Sequence, residues 1–422
     1  MNNKTIIRTE TVMCGRNTST RCMSSIHRRK FLKSASLTSI GIAGLAGCAG
    51  TSGSNDSSEG SGGSSGGSSS TDSSTDSSGG TTEPTTSSDS GVSGESISIL
   101  TTYYPDASYS GVVRAKYQNY FEAVGFSDVT LDYSLELNPL QVVTSDDYDF
   151  VIASHLDSIA GRAQGVPVQS IVTTQGSTVQ AYTYDADEHS FESPADFVGS
   201  TLGLQNDPDI TTFNNEILSS ELSDAERDQI NETFVGYDVR NLLTGKVDAM
   251  TKFPTNADGI ILELKEEANF GYIPMKDYLE VPGNAAITTT SMIENKPEVV
   301  REFVRAHAKG LADSIDPDMR DSVAADCVQS TEDAGISEQI FGTDVDAVDI
   351  QSRAVEMFRE YRHIDEWDTN GVGWNPTDRV ALAQQLFADA GQLDDTSDPE
   401  TIVNNRFIEE VTDDQGQLIW EE

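Results

Sequence analysis

Apolar and polar residues alternate in recognisable blocks from about residue 95 onward. A short apolar run, Ile97-Ser98-Ile99-Leu100, has the composition of a β-strand. After it, Val113, Tyr117, Tyr120 and Val124 recur at spacings of four, three and four residues. That spacing places the four side chains on one face of a helix. The pattern therefore predicts a first strand, an aromatic loop and a first helix.

The same alternation continues along the chain. Apolar runs predict further strands at 149–153, 166–172, 201–204, 234–235, 247–250, 269–274 and 285–289. Ser154 and Ser193 stand at predicted helix starts, and residues 297 to about 314 have the pattern of a long amphipathic helix. Residues 317–422 have the pattern of helices with polar connections. Alternating strands and helices are typical of a doubly wound α/β protein, and the two clusters of strands indicate two lobes.

The loop after the first strand carries the first candidate chemistry. It contains Tyr103, Tyr104, Asp106 and Tyr109, and ligands of open α/β sheets bind outside the carboxyl ends of the strands. Tyrosine rings are flat walls for a planar ligand, and the alternative is partial core packing. Asp106 could accept charge-assisted hydrogen bonds from a ligand, or it could close the turn after Pro105. We therefore expect a small ligand at this loop.

Other strand ends supply further candidates. Ser154 and His155 lie where a strand meets a helix N-terminus, whose free N–H groups suit polar ligand groups, although Ser154 is equally a plain N-cap. The remaining candidates follow later strands: Gln175, Asn206, Asp207, Lys252 and Phe253. For Lys252 the alternative is a solvated ion pair. We expect Trp367 and Trp374 to pack between helices, away from the ligand.

The first 94 residues have a different composition. Arg28-Arg29-Lys30-Phe31-Leu32-Lys33, a short apolar run and Leu45-Ala46-Gly47-Cys48 resemble a twin-arginine lipoprotein signal over residues 1–47. Cys48 would then carry a lipid. Residues 48–94 are almost entirely Gly, Ser, Thr and Asp, which predicts a flexible tether. The protein is thus expected outside the cell membrane, anchored to its outer face.

The net charge of the chain limits which classes of molecule it can bind. The chain has 27 Lys and Arg and 69 Asp and Glu, and residues 1–47 hold eight of the bases and one acid. From position 48 there remain 19 bases and 68 acids, a net charge of −49. Such a surface resembles that of a halophilic protein and disfavours nucleic acid and anionic lipid as partners. Cys327 stands alone beyond the leader, so neither a disulfide framework nor a metal-ligand spacing is expected.

Several segments, in order, resemble one family. They are Tyr103-Tyr104-Pro105-Asp106, Asn119-Tyr120-Phe121, the unit from 149 to 168, residues 193–199, residues 243–249 and residues 295–303. Together with the leader they are similar to the substrate-binding lipoproteins of ABC importers in the nitrate/sulfonate/taurine and thiamine-pyrimidine-precursor (NMT1-like) group. The resemblance implies an α/β, two-lobed class II periplasmic-binding-protein fold with extra C-terminal helices. Lobe I would comprise 95–182 plus 275–315, lobe II 183–274, and residues 316–422 the C-terminal helical region.

The resemblance also implies a function. The expected activity is that of a monomeric receptor that closes two lobes on a small molecule and delivers it to an ABC permease and ATPase, without a cofactor. The favoured ligand is a thiamine pyrimidine precursor, and the alternatives are a sulfonate, taurine or nitrate. An enzyme related to the eukaryotic pyrimidine synthases is a third possibility, but the Cys-rich run of those enzymes is absent from this sequence. A surface or adhesion protein would need only the tether, and the α/β alternation counts against it.

Overall fold

The computed structural model describes residues 92–420. Within them lie ten strands: β1 (Ser96–Thr101), β2 (Asp128–Tyr133), β3 (Phe150–Ser154), β4 (Val168–Thr173), β5 (Ala181–Asp185), β6 (Thr201–Leu204), β7 (Asn231–Phe234), β8 (Ala249–Lys252), β9 (Phe270–Pro274) and β10 (Asn284–Thr289). The predicted signal, the predicted lipidation site Cys48 and the predicted tether up to residue 91 lie outside the described residues.

The helices of the same region follow in chain order. They are α1 (Ser110–Tyr117), α2 (Tyr120–Ala123), α3 (Pro139–Thr144), α4 (His155–Ala163), α5 (Pro208–Glu221), α6 (Asp224–Arg227), α7 (Arg240–Leu243), α8 (Ala257–Leu264), α9 (Thr290–Asn295), α10 (Pro297–Ile315), α11 (Arg320–Asp333), α12 (Ser337–Phe341), α13 (Ala347–Arg362), α14 (Asp365–Asn370), α15 (Thr377–Asp389) and α16 (Arg406–Val411). None of those helices has the length and apolar composition needed to cross a membrane.

The strands form two separate five-stranded sheets. The first has the order β2-β1-β3-β10-β4, and the second has the order β7-β6-β8-β5-β9. In the first, β1 is parallel to β2 and β3, whereas β10 is antiparallel to β3 and β4. In the second, β6 is parallel to β7 and β8, and β5 is antiparallel to β8 and β9. Each sheet thus contains one antiparallel strand, and each of those strands begins after a connection from the other sheet.

Two crossover connections join the lobes that these sheets define. Residues 174–180 lead from β4 to β5, and residues 275–283 lead back from β9 to β10. The crossovers pack against each other at Gly283, where a Cβ atom would lie 2.7 Å from the Ser177 carbonyl oxygen and 2.8 Å from the Gln175 Cβ. A residue larger than glycine would force the two connections apart at this point.

Local sequence explains where most elements begin. The apolar run of β3 is buried over Phe150–Ala153, as the continuous pattern predicted. Ser154 and Asp157 form a capping box at the start of α4. Two predictions were wrong in detail. The first helix is interrupted at Asn119, whose φ of 58° lies in the left-handed region, and Ser193 begins only a short 3-10 helix over Pro194–Phe197.

The C-terminal helices pack against both lobes. Ile260 of α8, in the second lobe, is fully buried in the same apolar core as Phe358 of α13 and the first-lobe helix α10. A second core joins Val380 and Ala383 of α15 to Phe213 of the second-lobe helix α5. Trp367 is 2% exposed and its Nε1 donates to the Trp374 carbonyl oxygen at 3.0 Å. The predicted packing role of Trp367 and Trp374 is confirmed.

The end of α13 is fixed to the first loop by a buried arginine. The guanidinium of Arg362 is fully buried and donates to the Thr174 carbonyl at 3.0 Å, the Ser110 Oγ at 2.9 Å, and the carbonyls of Ala107 and Ser108 at 3.1 and 3.2 Å. Burial lowers the pKa of Arg362 to about 10, so the side chain stays charged at neutral pH. One side chain therefore positions both residues 107–110 and the start of the first crossover.

Candidate functional site

A cavity of about 590 Å³ lies between the two sheets and is lined by both lobes. Both crossovers and the C-terminal helix α13 also contribute to it, so the wall comes from both lobes and from the connections between them. The lining residues are Thr102, Tyr103, Ser108, Tyr109, Ser154, Leu156, Asp157, Gln175, Thr178, Val179, Gln180, Asp207, Asp209, Phe213, Tyr237, Phe253, Thr255, Asn256, Pro282, Gly283, Asn284 and Phe358.

The first loop contributes two of its four candidate side chains to this wall. Tyr103 is 40% exposed, whereas Tyr109 is 4% exposed and its hydroxyl lies 3.1 Å from the Thr102 Oγ1. Tyr104 does not line the cavity, because its ring packs against Tyr133 with centroids 5.5 Å apart.

Asp106 also lies outside the cavity wall. Its carboxylate accepts a hydrogen bond from the Ser108 amide at 2.9 Å and caps the short 3-10 helix Ala107–Tyr109. Burial raises the pKa of Asp106 to about 6. The structure thus gives Asp106 the turn-closing role that was the alternative to ligand contact.

Of the three candidates near β3 and β4, Ser154 and Gln175 line the cavity and His155 does not. Ser154 lines the cavity and also caps α4, accepting from the Leu156 amide at 3.1 Å. His155 is fully buried behind the wall, with its Nε2 2.9 Å from the Thr173 Oγ1. Burial lowers the pKa of His155 to about 3, so the imidazole is neutral. Gln175 lines the cavity, and its Nε2 donates to the Ser108 carbonyl at 3.3 Å.

On the second lobe, Asp207 and Phe253 line the cavity. Asn206 is exposed and is not among the residues that line the cavity. Lys252 is 2% exposed; its Nζ pairs with the Asp258 carboxylate at 2.8 Å and donates to the Tyr237 carbonyl at 2.9 Å. Lys252 therefore positions the Tyr237 loop and does not line the cavity itself.

Several lining residues were not among the candidates. Asp157 and Asp209 each lie in the first turn of a helix, where an acidic residue is common and does not by itself indicate ligand contact. The crossover residues Thr178, Val179 and Gln180 carry no local signal, because their place depends on how two lobes meet. Three aromatic residues were missed for the same reason: Phe213, Tyr237 and Phe358.

The charged groups of the wall are all acidic. Asp157, Asp207 and Asp209 line the cavity, and no Lys, Arg or His does so among residues 92–420. Burial raises the pKa of Asp157 to about 6. Burial, and then the charges of Asp207 and Asp157, raise the pKa of Asp209 to about 7. In the described part of the chain, no group of three or more acidic, His or Cys side chains is arranged to hold a metal ion.

Two helix N-termini face this cavity, and the protein's own oxygen atoms cap both. At α4, the Asp157 carboxylate accepts from the Ser154 amide at 3.1 Å. At α5, the Asp207 carboxylate accepts from the amides of Asp209 and Ile210 at 2.9 and 3.4 Å. N–H groups at a helix start are the usual anion-binding donors. Here they are already used, and an incoming ligand meets carboxylates in their place.

Comparison with known proteins gives a consistent result. A family model described as NMT1/THI5 like matches residues 106–319, about half of the chain. The formylaminopyrimidine-binding protein of Halalkalibacterium halodurans is 26% identical over 222 residues, which cover 51% of this chain and 65% of that protein. The riboflavin-binding protein RibY of Chloroflexus aurantiacus is 22% identical over 227 residues, which cover 52% and 63%. The chain thus spans less than two thirds of the length of either relative.

A solved structure supports the fold over a longer region. The periplasmic aliphatic sulphonate binding protein SsuA of Escherichia coli superposes with a TM-score of 0.54 at 12% identity, covering 78% of this chain and 96% of that one. At such low identity the likeness concerns the fold alone. The predicted fold class, a two-lobed periplasmic-binding-protein architecture with extra C-terminal helices, is confirmed.

Proposed function

The chain belongs to the NMT1/THI5 like family, and from that premise we propose that it is the extracytoplasmic solute-binding receptor of an ABC importer. One observation carries the proposal: the cavity is walled by both sheets and by both crossover connections. A ligand in that position contacts both lobes at once, and it stabilises the closed arrangement by the difference between its affinities for the closed and open forms. The closed receptor then docks on the permease.

We propose a planar, neutral-to-cationic nitrogen heterocycle as the ligand, and a thiamine pyrimidine precursor as the best candidate. Aromatic side chains of the first loop, the second lobe and α13 supply flat surfaces for such a ring. The two curated relatives are named for a formylaminopyrimidine and for riboflavin, and both compounds are planar heterocycles. The acidic wall suits ring N–H and amine donors.

A sulfonate, taurine or nitrate ligand is the alternative. The likeness to a sulphonate-binding protein concerns only the fold, and the self-capped helix starts of α4 and α5 leave few donors for an anion. Carboxylates in the wall would repel it as well. A pyrimidine-synthase-like enzyme is less well supported, since the one cysteine among the described residues, Cys327, is buried away from the cavity.

Lipidation of Cys48 and twin-arginine export complete the proposal. They would hold a receptor on the outer face of the cell membrane, beside the permease and ATPase. Labelling with a lipid precursor, compared between the native chain and Cys48→Ala, tests the anchor separately from ligand binding.

Native mass spectrometry of the purified full chain is the direct test of ligand class, because tightly bound solutes remain attached. Calorimetry with 4-amino-5-hydroxymethyl-2-methylpyrimidine then tests the candidate compound.

Tyr103→Ala removes an aromatic side chain from the cavity wall and should weaken binding by roughly ten-fold. Tyr104→Phe, from the same loop but outside the cavity, keeps the ring that packs 4.6 Å from the Tyr103 ring and, as the control, should bind as the native chain does. Equal affinities for the two variants would contradict the assignment of the loop.

A further inference from the structure

The acidic side chains of the cavity come from opposite lobes. Asp157 lies in the first turn of α4, beside β3 of the first sheet, and Asp209 lies in the first turn of α5, beside β6 of the second. Both line the same cavity, together with Asp207. None of the three forms an ion pair with a basic side chain of the described region. The wall therefore carries negative charge on both sides that the protein itself does not neutralise.

A second, independent feature points to a ligand at this place. Gln180, on the first crossover between the lobes, lines the cavity and is 7% exposed. Its Oε1 is buried and has no hydrogen-bond partner within residues 92–420. Buried acceptors are normally paired, because leaving one unpaired is unfavourable. The unpaired oxygen is thus accounted for if a donor on the ligand reaches it.

Resting on the proposed receptor function, we propose that the ligand carries a positively charged nitrogen group, which Asp157 and Asp209 bind from opposite lobes while Gln180 Oε1 accepts one of its N–H bonds. The ligand class is then a cationic amine or amidine attached to a planar ring. The ring lies among the cavity aromatics, and the charge bridges the lobes.

The proposed geometry links recognition to closure. Without a ligand, bringing the lobes together moves Asp157 and Asp209 towards each other, and their like charges oppose that movement. A cation between them reverses the sign of the interaction, since each carboxylate then gains an opposite charge. A neutral ring of the same shape fills the space but leaves the repulsion in place.

The raised pKa values of Asp157 and Asp209 agree with this arrangement. Burial is their main cause, and for Asp209 the neighbouring acidic charges add to it. Both effects disfavour the ionised form of the two carboxyl groups. A bound cation would return both pKa values towards the ordinary range.

Two pairs of probes separate charge from shape. The first pair is 4-amino-5-aminomethyl-2-methylpyrimidine and its N-formyl derivative. Formylation of the aminomethyl group converts its basic amine into a neutral amide. The second pair is benzamidine and benzamide, which contain no pyrimidine. Calorimetry with the full native chain at one fixed salt concentration should show the charged member of a pair binding at least about ten-fold more tightly than the neutral one.

Single substitutions test which carboxylates cause the preference for the charged probe. Asp209→Asn should weaken binding of the charged probe by roughly ten-fold and change binding of its neutral partner by less than about three-fold. Asp157→Asn keeps an oxygen that can accept from the Ser154 amide, so α4 stays capped, and it should behave like Asp209→Asn. Asp224→Asn, exposed on the same lobe outside the cavity, is the control and should resemble the native chain.

The outcomes distinguish the two proposals. Charge preference in the benzamidine pair supports the cation site even if no pyrimidine binds and the proposed ligand is wrong. Equal affinity within each bound pair, or identical results for Asp209→Asn and Asp224→Asn, would overturn the cation site. Failure of both charged probes to bind would overturn it too, while a different solute recovered by mass spectrometry would leave the receptor function standing.

Discussion

Asp209 illustrates how a single side chain can make stability depend on pH. Its pKa in the folded chain, about 7, is above the ordinary value near 3.9 that it has when unfolded. Between those values the unfolded chain has released the proton and the folded chain still holds it. Stability therefore falls as pH rises through this window, and the full cost of the ionised carboxylate is present above pH 7.

We expect Asp209→Asn to stabilise the unliganded protein at pH 8 by about 2–4 °C in melting temperature, and less at pH 5. The other acids that face Asp209 are Asp157 and Asp207, and removing one charge relieves repulsion from both. Three tyrosines also line the cavity, Tyr103, Tyr109 and Tyr237. Their pKa values are raised above the ordinary value, so they stay protonated between pH 5 and pH 8. Thermal scans against Asp224→Asn provide the measurement, and equal shifts in both variants would contradict the prediction.

The candidate site could be predicted from sequence only where a residue stands next to a strand end. Six candidates chosen because they lie at or after a strand end line the cavity: Tyr103, Tyr109, Ser154, Gln175, Asp207 and Phe253. Orientation could not be predicted in the same way. Neighbouring residues point to opposite sides of an extended segment, so His155 is buried behind the wall that Ser154 lines.

Helix α13 has a larger part in the site than the sequence indicated. Phe358 reaches the cavity, Gln351 Oε1 accepts from the Ala107 amide at 2.7 Å, and the carbonyls of Tyr361 and Arg362 accept from the amides of Ser177 and Gly176. These contacts connect α13 to the first loop and to the first crossover. The C-terminal region is thus part of the framework of the cavity.

We expect Arg362→Met to lower the free energy of unfolding by roughly 2–4 kcal/mol, because it leaves the Thr174 carbonyl without its donor and takes one of two donors from each of the Ala107 and Ser108 carbonyls. Arg353→Gln on the same helix is the control, since its ion pair with Glu356 is exposed and worth little. Denaturant titration measures both. A loss for Arg353→Gln as large as that for Arg362→Met would argue against the special role of the buried guanidinium.

The fold was predictable where strands are buried on both faces. The apolar runs of β3, β4, β6 and β10 gave their positions to within about two residues. Strands β2 and β5 were missed: β2 is an edge strand with an alternating pattern, and β5 is a short polar and aromatic segment. Their strand conformation depends on pairing with distant segments, which local propensity does not encode.

Residues 92–420 carry a strong excess of negative charge, with 19 bases against 60 acids and a net charge of −41. Close packing brings these charges together, and repulsion between them opposes folding. Ions screen that repulsion over about 8 Å at physiological ionic strength and over shorter distances at molar salt.

Melting temperature should therefore rise steeply with KCl or NaCl concentration. The measurement is a series of thermal scans from low to molar salt at constant pH. A potassium sulfate series tests the separate contribution of ion exclusion from the surface. A melting temperature that stays constant across the KCl series would contradict the expectation of a salt-dependent fold.

The attachment of Arg362 to residues 107–110 has a consequence for comparing members of this family. Two receptors with identical cavity walls can differ in affinity if their C-terminal helices hold the first loop with different rigidity, since ordering that loop on binding lowers affinity. Ligand preference inferred from cavity residues alone would miss this difference. Arg362, at the end of α13 and outside the cavity wall, is accordingly a place where evolution or design can adjust affinity while specificity stays the same.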